Sequence, residues 1–384
     1  MADFFEFSLG ARVLYKMGLA RELGAELGRF KAKRALIVAD KGVVAAGLVA
    51  PIIANLGTDV EVVGVFDAVP PNSSVKVVEA GAAMAHATGA DILLAIGGGS
   101  PLDTAKCMRI LMKYGGSLLD HQGYNLLEEQ LPPMVALPTT AGTGSEVTPF
   151  AVIRDEDQDL KLTFASPFLV PDLAILDPEL TRNLPPRITA ATGIDALSHA
   201  IESYVSTDGN PLSDSMALYA IDAIANHLRD ATHHGDNMEA RGQMLVASCM
   251  AGIAFASGFV GMVHALAHSV GGKFAVHHGT AISIILPYGM TFNSTAVPDR
   301  YVRIARAMGV NVGGRSDTEV IADGIAAVRN LSTDCGVPQR LRDVGVTEAA
   351  LDDLAATSLT DAAIFTNPRQ ATQAELREVL QAAW

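Results

Sequence analysis

The 384-residue sequence predicts a mostly parallel α/β sheet region over residues 1–182 and an all-helical region over residues 183–384. Three observations carry that prediction. Up to about Asp177, short β-branched runs alternate with helical stretches, the pattern of a parallel sheet covered by helices on both faces. At Asn183, Leu184, Pro185 and Pro186 the strand runs stop, and a Pro-Pro step cannot continue a helix. Beyond it, long Ala-rich stretches of helical length take over.

In chain order, strands are expected at 35–40, 60–65, 91–96, 134–138 and 173–176, each bounded by Gly, Pro or Asp. Length and apolar spacing place helices between them at 18–31, 43–56, 74–87 and 103–113. The second region should hold helices at 192–205, 211–229, 239–254 and 298–308. One stretch invites a different reading, because no Asp, Glu, Lys or Arg interrupts residues 244–267, which is long enough to cross a bilayer. Its Gly, Ala and Ser content, and His264 within it, instead favour a helix buried among other helices.

Composition narrows the partners. Apolar residues make up 49%, enough for a substantial core. Lys plus Arg number 28 against 42 Asp plus Glu, a net charge of −14, and no block of basic residues occurs, so nucleic acid and anionic membrane are excluded as expected partners. The three cysteines, Cys107, Cys249 and Cys335, show no C-x-x-C spacing, which excludes a disulfide framework or a Cys-rich zinc knuckle. The start at Met1, Ala2, Asp3 and Phe4 lacks a basic, then apolar, leader, and a cytoplasmic setting is expected.

Two glycine-rich turns suggest a phosphate cradle. The strand at 91–96 runs into Gly97, Gly98, Gly99, Ser100 and Pro101, then a helix expected to begin near Leu102 and Asp103. Such a turn bares backbone N–H groups, and the helix N-terminus adds partial positive charge. The next strand ends in Pro138, Thr139, Thr140, Ala141, Gly142, Thr143, Gly144, Ser145 and Glu146, read as a second turn of the same type. Two such turns at successive strand ends predict a nucleotide at the edge of a Rossmann-like sheet, although Leu102 occupies the last glycine position of the usual G-x-G-x-x-G fingerprint. Asp40 is the candidate to accept hydrogen bonds from an adenosine ribose, which favours NAD(H) over its 2′-phosphorylated analogue; its alternative is a cap or turn residue.

Most of the ten histidines lie between positions 199 and 278, and His199, His264, His268, His277 and His278 have apolar surroundings. His233 and His234 read as an exposed loop. Asp195 and His199 are four apart, so a helix projects both from one face, and His264 and His268 repeat that spacing. Buried imidazoles beside a carboxylate, with few cations nearby, predict a divalent metal; spacing alone leaves open which member of each His pair coordinates.

At these residues the chain resembles the iron-containing (group III) alcohol dehydrogenases, a family that includes lactaldehyde reductase and 1,3-propanediol dehydrogenase. The resemblance spans nearly the whole length. It rests on Gly-Gly-Gly-Ser-Pro-Leu-Asp at 97–103, Pro-Thr-Thr-Ala-Gly-Thr-Gly-Ser-Glu at 138–146, Gly-Ile-Asp-Ala-Leu-Ser-His at 193–199, Gly-Met-Val-His-Ala-Leu-Ala-His at 261–268 and Asn-Pro-Arg at 367–369. It implies the dehydroquinate synthase-like architecture, with a dinucleotide-binding α/β domain and a helical metal-binding, catalytic domain. It also implies Asp195, His199, His264 and His278 as ligands of Fe2+ or Zn2+, with His268 beside the metal as a proton carrier. The motif residues Gly97, Gly98, Gly99, Ser100, Asp103, Thr139, Thr140, Thr143 and Ser145, with Lys161, then fall at the cofactor, and a homodimer or higher homo-oligomer is expected. The chain departs from the pattern at His277, Ile282, Ser283 and Ala363, close to the expected cleft, which bears on the substrate.

The implied reaction is reversible hydride transfer between a small primary alcohol or diol and a nicotinamide. Three neutral imidazoles and one carboxylate leave a divalent ion with net positive charge and an open position, a Lewis acid for an alcohol oxygen. Phe255, Phe259 and Met262 are candidates for an apolar pocket wall or simple core. Three rivals compete with this reading: a zinc enzyme of the glycerol dehydrogenase or dehydroquinate synthase kind, a metal-dependent hydrolase, and a noncatalytic nucleotide-binding protein. A phosphorylated sugar acid would need Lys and Arg that the helical motifs lack, a hydrolase gives no reason for the glycine turns, and nucleotide binding alone gives none for the histidines.

Overall fold

The computed structural model describes residues 4–158 and 160–384, so Met1, Ala2, Asp3 and Asp159 lie outside the described residues. The chain forms two compact units, one of Leu9–Leu184 and one of Pro185–Trp384 with the N-terminal segment up to Ser8.

The first unit holds strands β1 (Arg12–Tyr15), β2 (Arg34–Ala39), β3 (Glu61–Phe66), β4 (Ile92–Gly97), β5 (Gly123–Tyr124), β6 (Met134–Pro138), β7 (Phe150–Asp155), β8 (Leu160–Ala165) and β9 (Leu173–Leu176). Six of them make an all-parallel sheet in the order β1-β9-β6-β4-β2-β3. Its central strands are buried along their whole length, as Ile92 to Gly97 and Met134 to Pro138 are, because helices cover both faces and leave no solvated side to alternate with. The helices of this unit are α1 (Gly24–Leu27), α2 (Lys41–Ala45), α3 (Val49–Ala54), α4 (Val75–Thr88) and α5 (Gly99–Tyr114).

Local chemistry corrects several expectations. The helix expected at 18–31 is broken into α1 and two short 3-10 turns, ending at Lys31 with φ 54. That expected at 43–56 splits into α2 and α3 around Gly47, whose φ of +74 no regular helix accommodates. Strands β1, β5, β7 and β8 were not expected. β7 and β8 form an antiparallel hairpin, with β5 parallel to β8, in a separate three-stranded sheet. In β7 burial alternates, with Ala151, Ile153 and Asp155 inward and Val152 and Arg154 outward, although Phe150 to Ile153 are all apolar, so the alternation belongs to the packing and not to the sequence.

The second unit has no strand among its described residues. Its helices are α6 (Pro186–Val205), α7 (Pro211–His233), α8 (Met238–Gly258), α9 (Met262–Lys273), α10 (His278–Asn293) and α11 (Pro298–Ala307), followed by Asp317–Asp334, Leu351–Ser358 and Gln373–Ala383. The Pro-Pro step opens α6, since Pro186 sits in the first turn where a missing N–H costs nothing. α6 is buried from Thr189 through Val205, surrounded by α7, α8 and α10. His233 ends α7 and does not lie in a loop, its Nε2 within 2.8 Å of the Asp334 carbonyl. The uncharged run at 244–267 is not one helix, because α8 and α9 meet at a bend of 102°. Among the described residues no single helix is long and apolar enough to cross a membrane.

Candidate active site

In the α/β unit, the chain passes from β2 outward to β3 and returns to β4 on the other side of β2. That reversal opens a crevice at the carboxyl ends of β2 and β4, where doubly wound sheets bind ligands. Asp40 follows the end of β2 and Gly98 the end of β4, strands paired through Ala39 and Ile96. The second turn starts one strand further on, where Pro138 pairs with Gly97 and the Thr139 N–H donates to the Gly97 carbonyl at 3.0 Å. The structure therefore brings Asp40, Gly97, Gly98, Gly99, Ser100, Thr139, Thr140 and Thr143 to one sheet edge.

The two turns differ in kind. The first opens α5 at Gly99, three residues earlier than Leu102, with Gly98 as its cap at φ −82. Gly97, at φ 157, is the residue that needs to be glycine for conformation; a Cβ there would also lie 2.5 Å from Pro101. A Cβ on Gly99 would lie 2.9 Å from Thr143, so the two turns pack directly together. The second turn opens no helix and runs on to β7, so it offers hydroxyls and no helix dipole. Asp40 caps α2, its Oδ1 accepting from the Val43 N–H at 2.8 Å, which is the cap role weighed for it and engages one carboxylate oxygen.

Three other expected cofactor residues, Ser100, Asp103 and Ser145, have hydrogen-bond partners within the protein. Asp103 accepts from the Ser145 hydroxyl at 2.6 Å and the Val152 N–H at 3.0 Å, tying α5 to the second turn and to β7. The Ser100 hydroxyl accepts from the Asn72 N–H at 3.2 Å. Beneath the turns, fully buried Lys106 donates to the carbonyls of Thr148 (2.9 Å) and Phe150 (2.7 Å). Burial pushes the Lys106 amine down to about 8, against the opposing charges of Asp103 and Glu146. Burial likewise pushes Glu146 up to about 7. Lys161 lies on β8, opposite Arg154 and exposed.

In the helical unit, Asp195 and His199 project from α6 and His264 from α9. One ligand atom from each lies within 4.8 Å of the others, and all three residues are buried. His278 opens α10, its Nε2 3.5 Å from Asp195 Oδ1, while His264 Nε2 is 4.0 Å from the same oxygen. The start of α10 comes this close to α6 because residue 279 is glycine; a Cβ there would lie 2.4 Å from the Ala191 carbonyl oxygen. Neighbouring donor atoms around a tetrahedral ion with bonds of about 2.1 Å are roughly 3.4 Å apart. The carboxylate of Asp195 and the imidazoles of His199 and His264 could thus hold a single divalent ion after small side-chain shifts, and His278 stands beside that carboxylate.

His268 stands at the rim. Its Nδ1 is 2.8 Å from Asp361 Oδ2, and its ring stacks on His278 with centroids 5.4 Å apart. Burial raises the Asp361 carboxyl, but the His268 hydrogen bond and charge together with the Ala363 N–H outweigh it and hold the group below its ordinary value. Phe255 stacks on the His199 ring at 4.5 Å, Phe259 ends α8 with φ 58, and Met262 is fully buried.

Sequence reasoning missed Glu202 and Asp361. Glu202 is 3% exposed on α6, seven residues after Asp195 and so on the same face. Its Oε1 accepts from the Val263 N–H at 2.8 Å and its Oε2 is hydrogen-bonded to His264 Nδ1. Burial raises its carboxyl, opposed by the N–H groups at the start of α9 and by the charge of His268. A carboxylate seven residues from Asp195 on an otherwise apolar face was a legible signal. Asp361, far off in sequence, offered none. Asn367 of the Asn-Pro-Arg motif is structural: it forms a reciprocal amide pair with Asn293 (2.9 and 2.8 Å) and accepts from the Met262 N–H.

Comparison with known proteins covers both units. Residues 10–178 match the family model described as iron-containing alcohol dehydrogenase, and residues 189–384 match the C-terminal model of the Fe-containing alcohol dehydrogenase family. The chain is 40% identical to 1,3-propanediol dehydrogenase of Klebsiella pneumoniae over 92% of each chain. It is 37% identical to the NAD-dependent methanol dehydrogenase of Bacillus methanolicus, over 95% of this chain and 96% of the relative. Among solved structures, a 1,3-propanediol oxidoreductase superposes with a TM-score of 0.97 at 37% identity, covering 99% of this chain and 100% of that one. A sulfoacetaldehyde reductase from Bifidobacterium kashiwanohense in complex with NAD+ gives 0.89 at 30% identity, covering 100% and 99%. The turns at one sheet edge, the carboxylate–imidazole cluster on three helices and the full-length matches together make this chain a member of the iron-containing alcohol dehydrogenase family, metal-dependent oxidoreductases acting on alcohols and aldehydes.

Proposed function

We propose that this chain interconverts a small primary alcohol or diol and its aldehyde with NAD(H), using Asp195, His199, His264 and His278 to hold a divalent ion, Fe2+ or Zn2+. The observation that carries the reading is the convergence of Asp195, His199 and His264 within 4.8 Å inside a helical unit, with His278 beside Asp195. A divalent ion held there supplies Lewis acidity, which lowers the pKa of an alcohol bound to it and favours hydride loss from the carbinol carbon. Donor identity does not choose between the two metals, since intrinsic affinity favours zinc and supply decides occupancy.

The chain's own residues divide the remaining work. His268, oriented by Asp361, takes the released proton and passes it toward solvent. Phe255 against His199 keeps one side of the cluster apolar. Residues 1–182 act as the dinucleotide domain: the start of α5 receives the pyrophosphate, Asp40 offers its second carboxylate oxygen to the adenosine ribose, and Thr139, Thr140 and Thr143 supply hydroxyls nearby. Asp103, Ser100 and Ser145 hold the turns in shape, and Lys161, exposed on β8, is assigned to the cofactor ribose by the resemblance. Residues 183–384 carry the metal and the chemistry. Glu202 does not serve as a hydrolytic base, because both its oxygens are engaged at α9. The three cysteines are free and buried, as suits a reducing cytoplasm, and a homodimer or higher homo-oligomer follows from the resemblance.

The test is to mix purified protein with NADH and a panel of short aldehydes, follow the loss of nicotinamide absorbance, and measure metal in the same sample. Turnover that tracks metal content and disappears on chelation is the expected result. Full turnover in metal-free protein would overturn the reading.

A further inference from the structure

We propose that Glu202 is a positioning residue that fixes the tautomer of His264 and thereby sets the affinity of the helical cluster for a divalent ion. The inference rests on the metal reading above and adds a residue outside the donor set. Glu202 stands between two elements that supply that set: it belongs to α6 with Asp195 and His199, and it grips the first turn of α9, which carries His264.

The two partners of Glu202 differ in what they can do. The Val263 N–H lies in the first helical turn, where no intrahelical carbonyl reaches it, and a backbone N–H only donates. His264 Nδ1 donates in one tautomer and accepts in the other. With its carboxyl ionised, Glu202 accepts at both oxygens, so Oε1 satisfies Val263 and Oε2 holds the His264 proton on Nδ1. Nε2, the nitrogen facing Asp195 Oδ1 at 4.0 Å, is then left as a lone-pair donor. The carboxylate has little room to turn away. A Cβ on Gly261 would lie 2.9 Å from Glu202 Oε1, and Asn367 pins Met262 next to it.

Glu202→Gln changes this logic with almost no change in volume. The amide has one accepting end and one donating end. Its oxygen must go to Val263, whose N–H cannot reverse, and its NH2 then faces His264 Nδ1. That arrangement moves the imidazole proton to Nε2, where it blocks coordination. Losing such a partner typically weakens metal binding about 10- to 100-fold.

The experiment uses metal-free full-length wild type, Glu202→Gln and His264→Ala, titrated with Co2+ by visible absorption and with Zn2+ against a chromophoric chelator. Ring 15N spectra of the same metal-free samples report tautomers, and the ring missing from His264→Ala identifies His264. The expected result is tight uptake by wild type, affinity lower by about 10- to 100-fold in Glu202→Gln, and a His264 proton moved from Nδ1 to Nε2. A structural role alone would lower the melting temperature of the metal-free variant while leaving its folded fraction at wild-type affinity, and that outcome overturns the proposal. Should Glu202→Gln not fold, Glu202→Asp replaces it, with both acceptors one methylene short; weaker binding supports the role and unchanged binding overturns it. If wild type takes up no metal, or His264→Ala binds as tightly as wild type, the metal reading itself fails and this inference with it.

Discussion

In the function proposed above, the sheet edge of the α/β unit recognises its ligand through backbone: the first N–H groups of α5, bared by Gly97, Gly98 and Gly99. In the helical unit the same proposal uses side chains, Asp195, His199 and His264 from α6 and α9 with His278 of α10 beside Asp195. The difference teaches where each site is vulnerable. A backbone cradle is lost by adding atoms, in graded steps, because several N–H groups share the work. A side-chain cluster is lost by removing one group, because the remaining ligands cannot make up the coordination.

The largest expected effect tests that asymmetry on α9 itself. His264→Ala should abolish stoichiometric metal and cut turnover by at least roughly 100-fold, since a bound metal lowers the pKa of its ligand by several units. His268→Ala, one turn along, should keep the metal and slow the reaction less. Elemental analysis and steady-state rates on both proteins decide the point. Metal lost from His268→Ala and retained in His264→Ala would reverse the ligand assignment.

Gly98→Val should act more mildly, raising the cofactor KM by about 10-fold with metal content unchanged. The backbone there, at φ −82, accepts a side chain without strain, so any loss comes from obstruction and from crowding Thr140, 3.3 Å from the new Cβ. Cofactor titration of a folded Gly98→Val protein that matches the parent would remove the turn from the cofactor site.

A smaller effect concerns the choice between NADH and NADPH. A ribose 2′-phosphate near Asp40 meets like charge, which after solvent screening biases the choice several-fold, on the order of 1 kcal/mol. Asp40→Asn is the sharper substitution, because an amide oxygen can still cap α2 through the Val43 N–H while the charge is gone. The ratio of the two kcat/KM values should move toward NADPH with melting temperature unaltered. An unchanged ratio would leave Asp40 as a cap and nothing more.

The smallest effect on activity lies under the turns. The folded pKa of Glu146, about 7, exceeds its ordinary value of 4.5, so between those pH values the native state keeps a proton that the unfolded chain has released. Stability therefore falls as pH rises through that window. Glu146→Gln should flatten the fall, by roughly 3 kcal/mol at pH 7.5, and thermal melts from pH 4.5 to 8 would show it. A parent whose stability does not decline over that range would place Glu146 in a more polar setting than the structure does.

What the sequence determined by itself was local or short-range. Full burial makes β4 and β6 read as uninterrupted apolar runs, the Pro-Pro step can only end or start a helix, and Asp195 with His199 share a face because four residues make about one turn. Of the β7–β8 hairpin only β8, Leu-Lys-Leu-Thr-Phe over 160–164, carries period-2 alternation in its sequence, while the alternation of β7 appears only on packing. Tertiary structure decided the rest. Whether Asp103 faces a cofactor or ties α5 to β7 depends on a partner 49 residues away, and His268 meets Asp361 across 93 residues. The approach of His278 to Asp195 follows from a glycine pressed against Ala191 of another helix. Glu202 acquires its role only because α9 begins against it, since a hydrogen-bond network among side chains exists only after the helices that carry them have packed.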